Sequence, residues 1–94
     1  MQIIWQKGAI QDLDALFEFI GSENPPAALA IFELIEKRVG QLADHPYLGR
    51  GGRVTATREL VVAGTPFIVA YRVGEKQIDV LAVIHGAMRW PEKF

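Results

Sequence analysis

The chain has 94 residues, a formal net charge of −1 and no cysteine, which allows one hydrophobic core and excludes a disulfide framework and a thiolate metal site. No apolar run approaches the ~20 residues of a membrane span, and no basic segment leads into an apolar one at the start, so a soluble, unexported, cytoplasmic protein is expected. The small net charge hides an asymmetry, because residues 1–49 hold three cations against seven anions and residues 50–94 hold seven against four. Five of the six arginines lie in the second half. Their planar forks suit carboxylate or phosphate, so a site built there would favour anions, the alternative being ordinary solvated charge.

Ile3, Ile4 and Trp5 read as a brief β-strand, with a turn at Lys7-Gly8. From Ala9 the apolar residues fall at 9, 10, 13, 16, 17 and 20, the spacing of a helix with one buried face. Gly21 is placed to end it. Asn24 before Pro25 and Pro26 is an N-cap followed by proline in the first turn, where a missing amide hydrogen costs nothing. Ala28, Ile31, Phe32, Ile35, Val39 and Leu42 then keep helical spacing until Asp44-His45-Pro46 stops the run. Two helices joined by about four residues form an antiparallel hairpin.

Beyond Pro46 the pattern is that of strands. The stretch from Gly49 to Arg53 is glycine-rich and reads as a mobile, basic loop. Glu59 to Val62, Phe67 to Val73 and Gln77 to His85 are rich in β-branched and aromatic residues, and the connections between them are short enough for hairpins. The expected fold is α+β: a short N-terminal strand able to pair at an edge, and an antiparallel helix hairpin packed on a three- to four-stranded antiparallel sheet, all in a single domain over 1–94.

Few chemistries fit these residues. Ser22 sits at a helix end with no histidine near it, and His45 and His85 lie in different elements without carboxylates at ligand spacing, so neither a serine nucleophile nor a metal site is expected. The glycines near Arg50 lack the Lys-Ser/Thr pair and following helix of a nucleotide-binding loop, and no cofactor is implied. What remains is Arg50, Arg53, Arg58, Arg72, His85 and Arg89, with Glu59 and Tyr71 nearby. Metal-free RNA cleavage needs a base, cations around the phosphorane and an acid, which this set supplies in kind. Strand alternation opposes it: Arg72 and Tyr71 point to opposite faces, as do Arg58 and Glu59. Structural readings stand beside each: Arg72 paired with Asp79 across a hairpin, His85 satisfied by backbone, Trp90 packed in a core. Arg89 has no acidic neighbour closer than Glu92.

The Gly-Arg stretch from Gly49 to Val54, Thr57-Arg58-Glu59-Leu60-Val61-Val62, Thr65-Pro66-Phe67-Ile68-Val69-Ala70-Tyr71-Arg72-Val73 and His85-Gly86-Ala87-Met88-Arg89-Trp90-Pro91, following a strand and a helix hairpin, resemble the RelE/ParE superfamily of bacterial toxin-antitoxin toxins. The chain is most similar to the ParE-like, plasmid-stabilisation branch, and the resemblance spans nearly its whole length. It implies a small toxin encoded beside an antitoxin that wraps and neutralises it. For ParE-like members the implied target is DNA gyrase; for RelE-like members it is messenger RNA on the ribosome, cut without a metal. The acidic pI of about 6.1 and the absence of a C-terminal tyrosine favour gyrase, since few phosphate contacts give little salt-sensitive affinity for RNA. Target contact is then expected from Arg58, Arg72, Arg89 and Trp90, and antitoxin contact from Phe19 and Leu29. The ribonuclease alternative uses Arg58, Arg72, His85 and Arg89, and a third reading is an inactive remnant that only binds antitoxin.

Overall fold

The computed structural model describes residues 1–94. Strand β1 (Gln2–Trp5) leads directly into helix α1 (Lys7–Gly21), which α2 (Pro25–Gly40) follows. The turn expected at Lys7-Gly8 is instead the first turn of α1. A Cβ on Gly8 would come within 3.3 Å of the Leu81 carbonyl oxygen, so glycine lets the helix start while still touching the sheet. The Asn24 side chain accepts a hydrogen bond from Ala27 N at 3.2 Å, with proline in the first turn, as the N-cap reading expects. A 3₁₀ turn over Gln41–Ala43 ends the hairpin and buries Leu42.

Four further strands follow: β2 (Arg50–Gly51), β3 (Arg58–Val61), β4 (Phe67–Val73) and β5 (Gln77–His85). They form a five-stranded sheet in the order β1-β5-β4-β3-β2, with β1 parallel to β5 and the other pairs antiparallel. The helix hairpin on one face gives the expected α+β fold, but the sheet is mixed and longer than the three to four antiparallel strands expected. One extra strand is the dipeptide β2, which lies inside the loop read as mobile. The parallel pair arises because the chain crosses the sheet through both helices and returns through the β2 to β5 meander beside its own start.

The core lies between hairpin and sheet, with Ala9, Ile35, Val39, Leu42, Val69 and Tyr71 at its centre. Each buried aliphatic side chain there stabilises by about 1.5–3 kcal/mol. A bulge in β5 decides which residues reach it. Tyr71 stands opposite Val80 and Ala70 opposite Ala82, so Leu81 is the extra residue, and both Val80 and Val83 face the helices. Side chains plug the sheet at both sides. Past the end of β1, Asp12 Oδ2 accepts from Val83 N at 3.0 Å; on the β3 edge, Arg38 Nε donates to Val61 O at 3.2 Å.

Candidate functional site

The alternation of β3 brings Glu59 to the face away from the helices, opposite Ala70. Glu59 is only 3% exposed, and a buried carboxylate must be paired. Arg53 supplies three bonds: its backbone N to Oε2 at 2.7 Å, Nε to Oε2 at 3.0 Å and Nη2 to Oε1 at 3.1 Å. Arg50 Nη2 adds a fourth, to Oε1 at 3.1 Å. Burial alone would push the Glu59 carboxyl up, but the bonds from Arg53 and Arg50 outweigh it and hold the group below its usual range. The 49–53 stretch is therefore pinned, correcting the expectation of mobility. Its glycines allow that close approach: a Cβ on Gly49 would lie 2.7 Å from Glu59 O and 2.8 Å from the Tyr71 hydroxyl.

Arg58 points to the opposite face, beside Tyr71, its register partner. Its Nε and Nη2 both donate to Gly49 O, at 3.0 and 2.6 Å, and Nη2 also reaches Tyr47 O at 3.3 Å. The fully buried Tyr71 hydroxyl accepts from Gly49 N at 2.9 Å and donates to Pro46 O at 2.8 Å. Together these two side chains clasp the 46–49 turn. Arg72 lies across the sheet from them, opposite Asp79. No ion pair forms there; Asp79 Oδ1 instead accepts from Gln6 Nε2 at 2.8 Å and Gln77 Nε2 at 2.7 Å. Arg72 and Arg89 are the two arginines without an internal hydrogen-bond partner.

His85 stands opposite Phe67, with the rings edge to face at 5.8 Å. Its Nδ1 accepts from Ala87 N at 3.1 Å, closing the turn after β5. Phe67 and Tyr71 are four residues apart, so His85 and Arg58 stand roughly 13 Å apart along the sheet. With Arg72 on the other face, the four residues of the ribonuclease alternative do not converge on one reacting atom.

Apolar grooves flank α1 on both sides. At 100° per residue Ala9, Leu13, Leu16 and Ile20 point inward, while Phe17 and Phe19 fall on opposite flanks. On the Phe17 side, an open groove of about 570 Å³ runs between the helices past Leu29 and Phe32, with Asp14 and Glu18 at its rim. Through Leu13 and Phe32 it continues into a second hollow beside Trp5, Ile10 and Glu36. Phe17 and Phe32 meet edge to face at 6.4 Å across it. On the other flank, Phe19, 81% exposed, borders a groove of about 730 Å³ with Leu16, Phe67, His85, Met88 and Arg89. Asp12 also lines it, and burial raises its carboxyl above the usual range while the bond from Val83 opposes the shift. Phe19 and Leu29 thus belong to two separate surfaces.

A family model described as the ParE toxin of the type II toxin-antitoxin system parDE matches residues 3–90. The chain belongs to the ParE toxin family. Among its relatives, protein Y4kP of Sinorhizobium fredii (strain NBRC 101917 / NGR234) is 36% identical over 91 residues, covering 97% of this chain and 94% of that protein. Toxin RelE2 of Caulobacter vibrioides is 31% identical over 86 residues, covering 92% and 96% respectively. Among solved structures, the chromosomal ParDE TA system from P. aeruginosa superposes with a TM-score of 0.82 at 28% identity, covering 90% of this chain and 95% of that one. The chain is a toxin of a type II toxin-antitoxin system, within the RelE/ParE superfamily that its motifs resemble.

Some residues of this ParE-family surface were not singled out from sequence. Phe17, 44% exposed, lines the same groove as Leu29, and its place in the apolar periodicity of α1 concealed it as core. The Arg53–Trp90 stack, with the guanidinium carbon 3.9 Å from the ring centroid, joins residues 37 positions apart. No local signal marks such a pair.

Proposed function

We propose that this ParE-family toxin arrests growth by binding DNA gyrase, with no reaction of its own, and that a cognate antitoxin neutralises it by covering the helix hairpin. The observation that carries the first part is the division of the arginines. Arg38, Arg50, Arg53 and Arg58 are bound within the fold, which leaves Arg72, Arg89 and the neighbouring Trp90 as the target-contacting set, a composition suited to interface hot spots. Arg58 supports that surface indirectly by holding the 46–49 turn. The dispersal of Arg58, Arg72 and His85 speaks against the ribonuclease alternative.

The antitoxin reading rests on the grooves beside α1. The Leu29 trough carries Asp14, Glu18 and Glu36 at its rim and no cation among its lining residues, so it suits an amphipathic helix with apolar anchors and flanking lysine or arginine. From Ile10 to Gly21 it extends roughly 16 Å, about three turns of such a helix. The Phe19 groove takes a separate segment of the same antitoxin.

A supercoiling assay with the purified chain, ATP and gyrase tests the target. Lost supercoiling with accumulated linear DNA is expected, weakened at least tenfold by Arg89→Ala. Full gyrase activity in the presence of folded toxin would sink the reading, and messenger cleavage on ribosomes would replace it. For the antitoxin, Leu29→Glu should weaken binding tenfold or more in calorimetry, with Phe19→Ser weaker by a smaller factor; unchanged affinity in both would remove the hairpin from the interface.

A further inference from the structure

After β5 the chain turns once, with Gly86 N donating to Pro66 O at 2.8 Å and Met88 N to His85 O at 2.9 Å. Residues 89–94 then make no hydrogen bond or ion pair with the rest of the protein. This arm is anchored by the Trp90 ring, which stacks against Arg53 at 3.9 Å. Arg53 is in turn fixed by its bonds to Glu59.

The register shows where the arm runs. A Cβ on Gly86 would lie 3.3 Å from Ile68 Cδ1, and Glu59 stands opposite Ala70, so residues 86–90 cross from β5 over β4 toward β3. Gly86 and Trp90 lie on the face that the helices leave open, while Met88 and Arg89 between them border the Phe19 groove at the end of the sheet. Ile68, Ala70 and Ala82 on that face are buried all the same. Docking has a flaw, however. The Trp90 indole Nε1 is buried without a hydrogen-bond partner, and an orphaned donor costs an amount comparable to what a cation–π stack contributes.

We propose that this arm is a jaw that lifts to admit the target, and that the Arg53–Trp90 stack is the contact that holds it shut. In the lifted form Arg53 and Arg72 line the open sheet face, while Arg89 and the freed indole N–H line the arm. Arg53 stays bound to Glu59, whereas Arg72, Arg89 and the indole N–H have no acceptor in the fold, and a cleft lined by these donors fits an acidic segment of a protein partner. A nucleic acid is the poorer fit, because the chain is acidic overall and offers few phosphate contacts. Glu59 is a positioning residue: it aims Arg53 and touches no target. The proposal rests on the assignment of Arg89 and Trp90 to target contact, and it makes the docked arm an inhibitory state whose removal raises apparent affinity.

The test uses the full chain with Trp5→Phe, so that Trp90 is the sole tryptophan. Acrylamide quenching should find Trp90 shielded in this parent, and several-fold more accessible in Arg53→Lys, which keeps the cation but loses the fork and the stack. Glu59→Gln, which keeps Arg53 itself, should behave in the same direction. Growth arrest in cells lacking the antitoxin should then set in at several-fold lower expression for both variants than for the parent. Growth arrest is the readout because it does not depend on which target is hit, so a negative gyrase assay alone would remove only the gyrase assignment. A fully accessible Trp90 in the parent, a freed Trp90 accompanied by weaker arrest, or no arrest in any variant would each overturn the jaw.

Discussion

Along the α1–α2 hairpin, Asp14, Glu18 and Glu36 stand without ion-pair partners beside exposed Phe17 and Leu29, whereas in the second half Arg50, Arg53 and Arg58 are already bound to Glu59 and to the 46–49 turn. The half with the surplus of cations therefore offers fewer of them to a partner than its count suggests, and the hairpin offers nearly all of its carboxylates. Charge read along a chain is not charge available at a surface. A buried carboxylate recruits its own counter-ions before any partner arrives.

The sharpest way to break this contrast is at a glycine in each region. Gly49→Ala forces a Cβ against Glu59 O and the Tyr71 ring and should destabilise by about 3 kcal/mol or more in urea melts, in line with overpacking and a lost buried bond. Gly40→Ala, at the end of α2 with nothing within 4 Å of its Cβ, should instead stabilise by about 0.5–1 kcal/mol. Equal effects would mean that the 49–53 stretch is not held against the sheet.

Next comes the buried carboxylate itself. Glu59→Ala removes the acceptor shared by Arg53 N and two half-exposed guanidiniums and should cost about 2–3 kcal/mol at neutral pH. The folded-state pKa of Glu59 is lowered, so its contribution is present above the unfolded value of about 4.3 and is lost as pH falls through the lower folded value. Acid melts of the wild type should show that loss, and the variant should lack it. Arg58→Ala should then cost about 1–2 kcal/mol through the freed Gly49 and Tyr47 carbonyls, while Arg72→Ala stays within about 0.5 kcal/mol. Target inhibition should rank the same two variants the other way round.

The smallest effect belongs to Asp12. Burial raises its pKa, so the ionised form opposes folding at neutral pH, and stability from this group rises as pH falls through the raised folded value toward the unfolded one. Asp12→Asn keeps an acceptor for Val83 N and should raise the melting temperature slightly at pH 7. The gain should vanish in acid; a loss at pH 7 would mean that the bond to Val83 outweighs desolvation.

Much of the scaffold was legible along the chain. The helical spacing from Ala9 to Leu42, the Asn24-Pro25-Pro26 cap and the three apolar strand runs each rest on neighbours within one or two turns, and local geometry governs them. The two-residue β2, the parallel pairing of β1 and the extra residue at Leu81 were not legible. Each depends on a partner outside its own run of residues: Glu59 for β2, the returning β5 for β1, and the β4 register for the bulge. The candidate site divides in the same way. Arg72, Arg89 and Trp90 stood out in the sequence, but only the folded chain separates them from Arg58, which has the same chemistry and is tied to backbone carbonyls.

By itself, then, the sequence determined the helix hairpin, the meander and membership of the toxin family, because short-range periodicity and a few contiguous motifs carry that information. The tertiary structure decided which arginines remain unpaired, which residues complete the grooves that the exposed phenylalanines of α1 border, and where residues 86–90 cross the sheet. Those outcomes depend on burial and on contacts between segments that periodicity does not bring together, from six positions apart for Arg53 and Glu59 to 37 for Arg53 and Trp90.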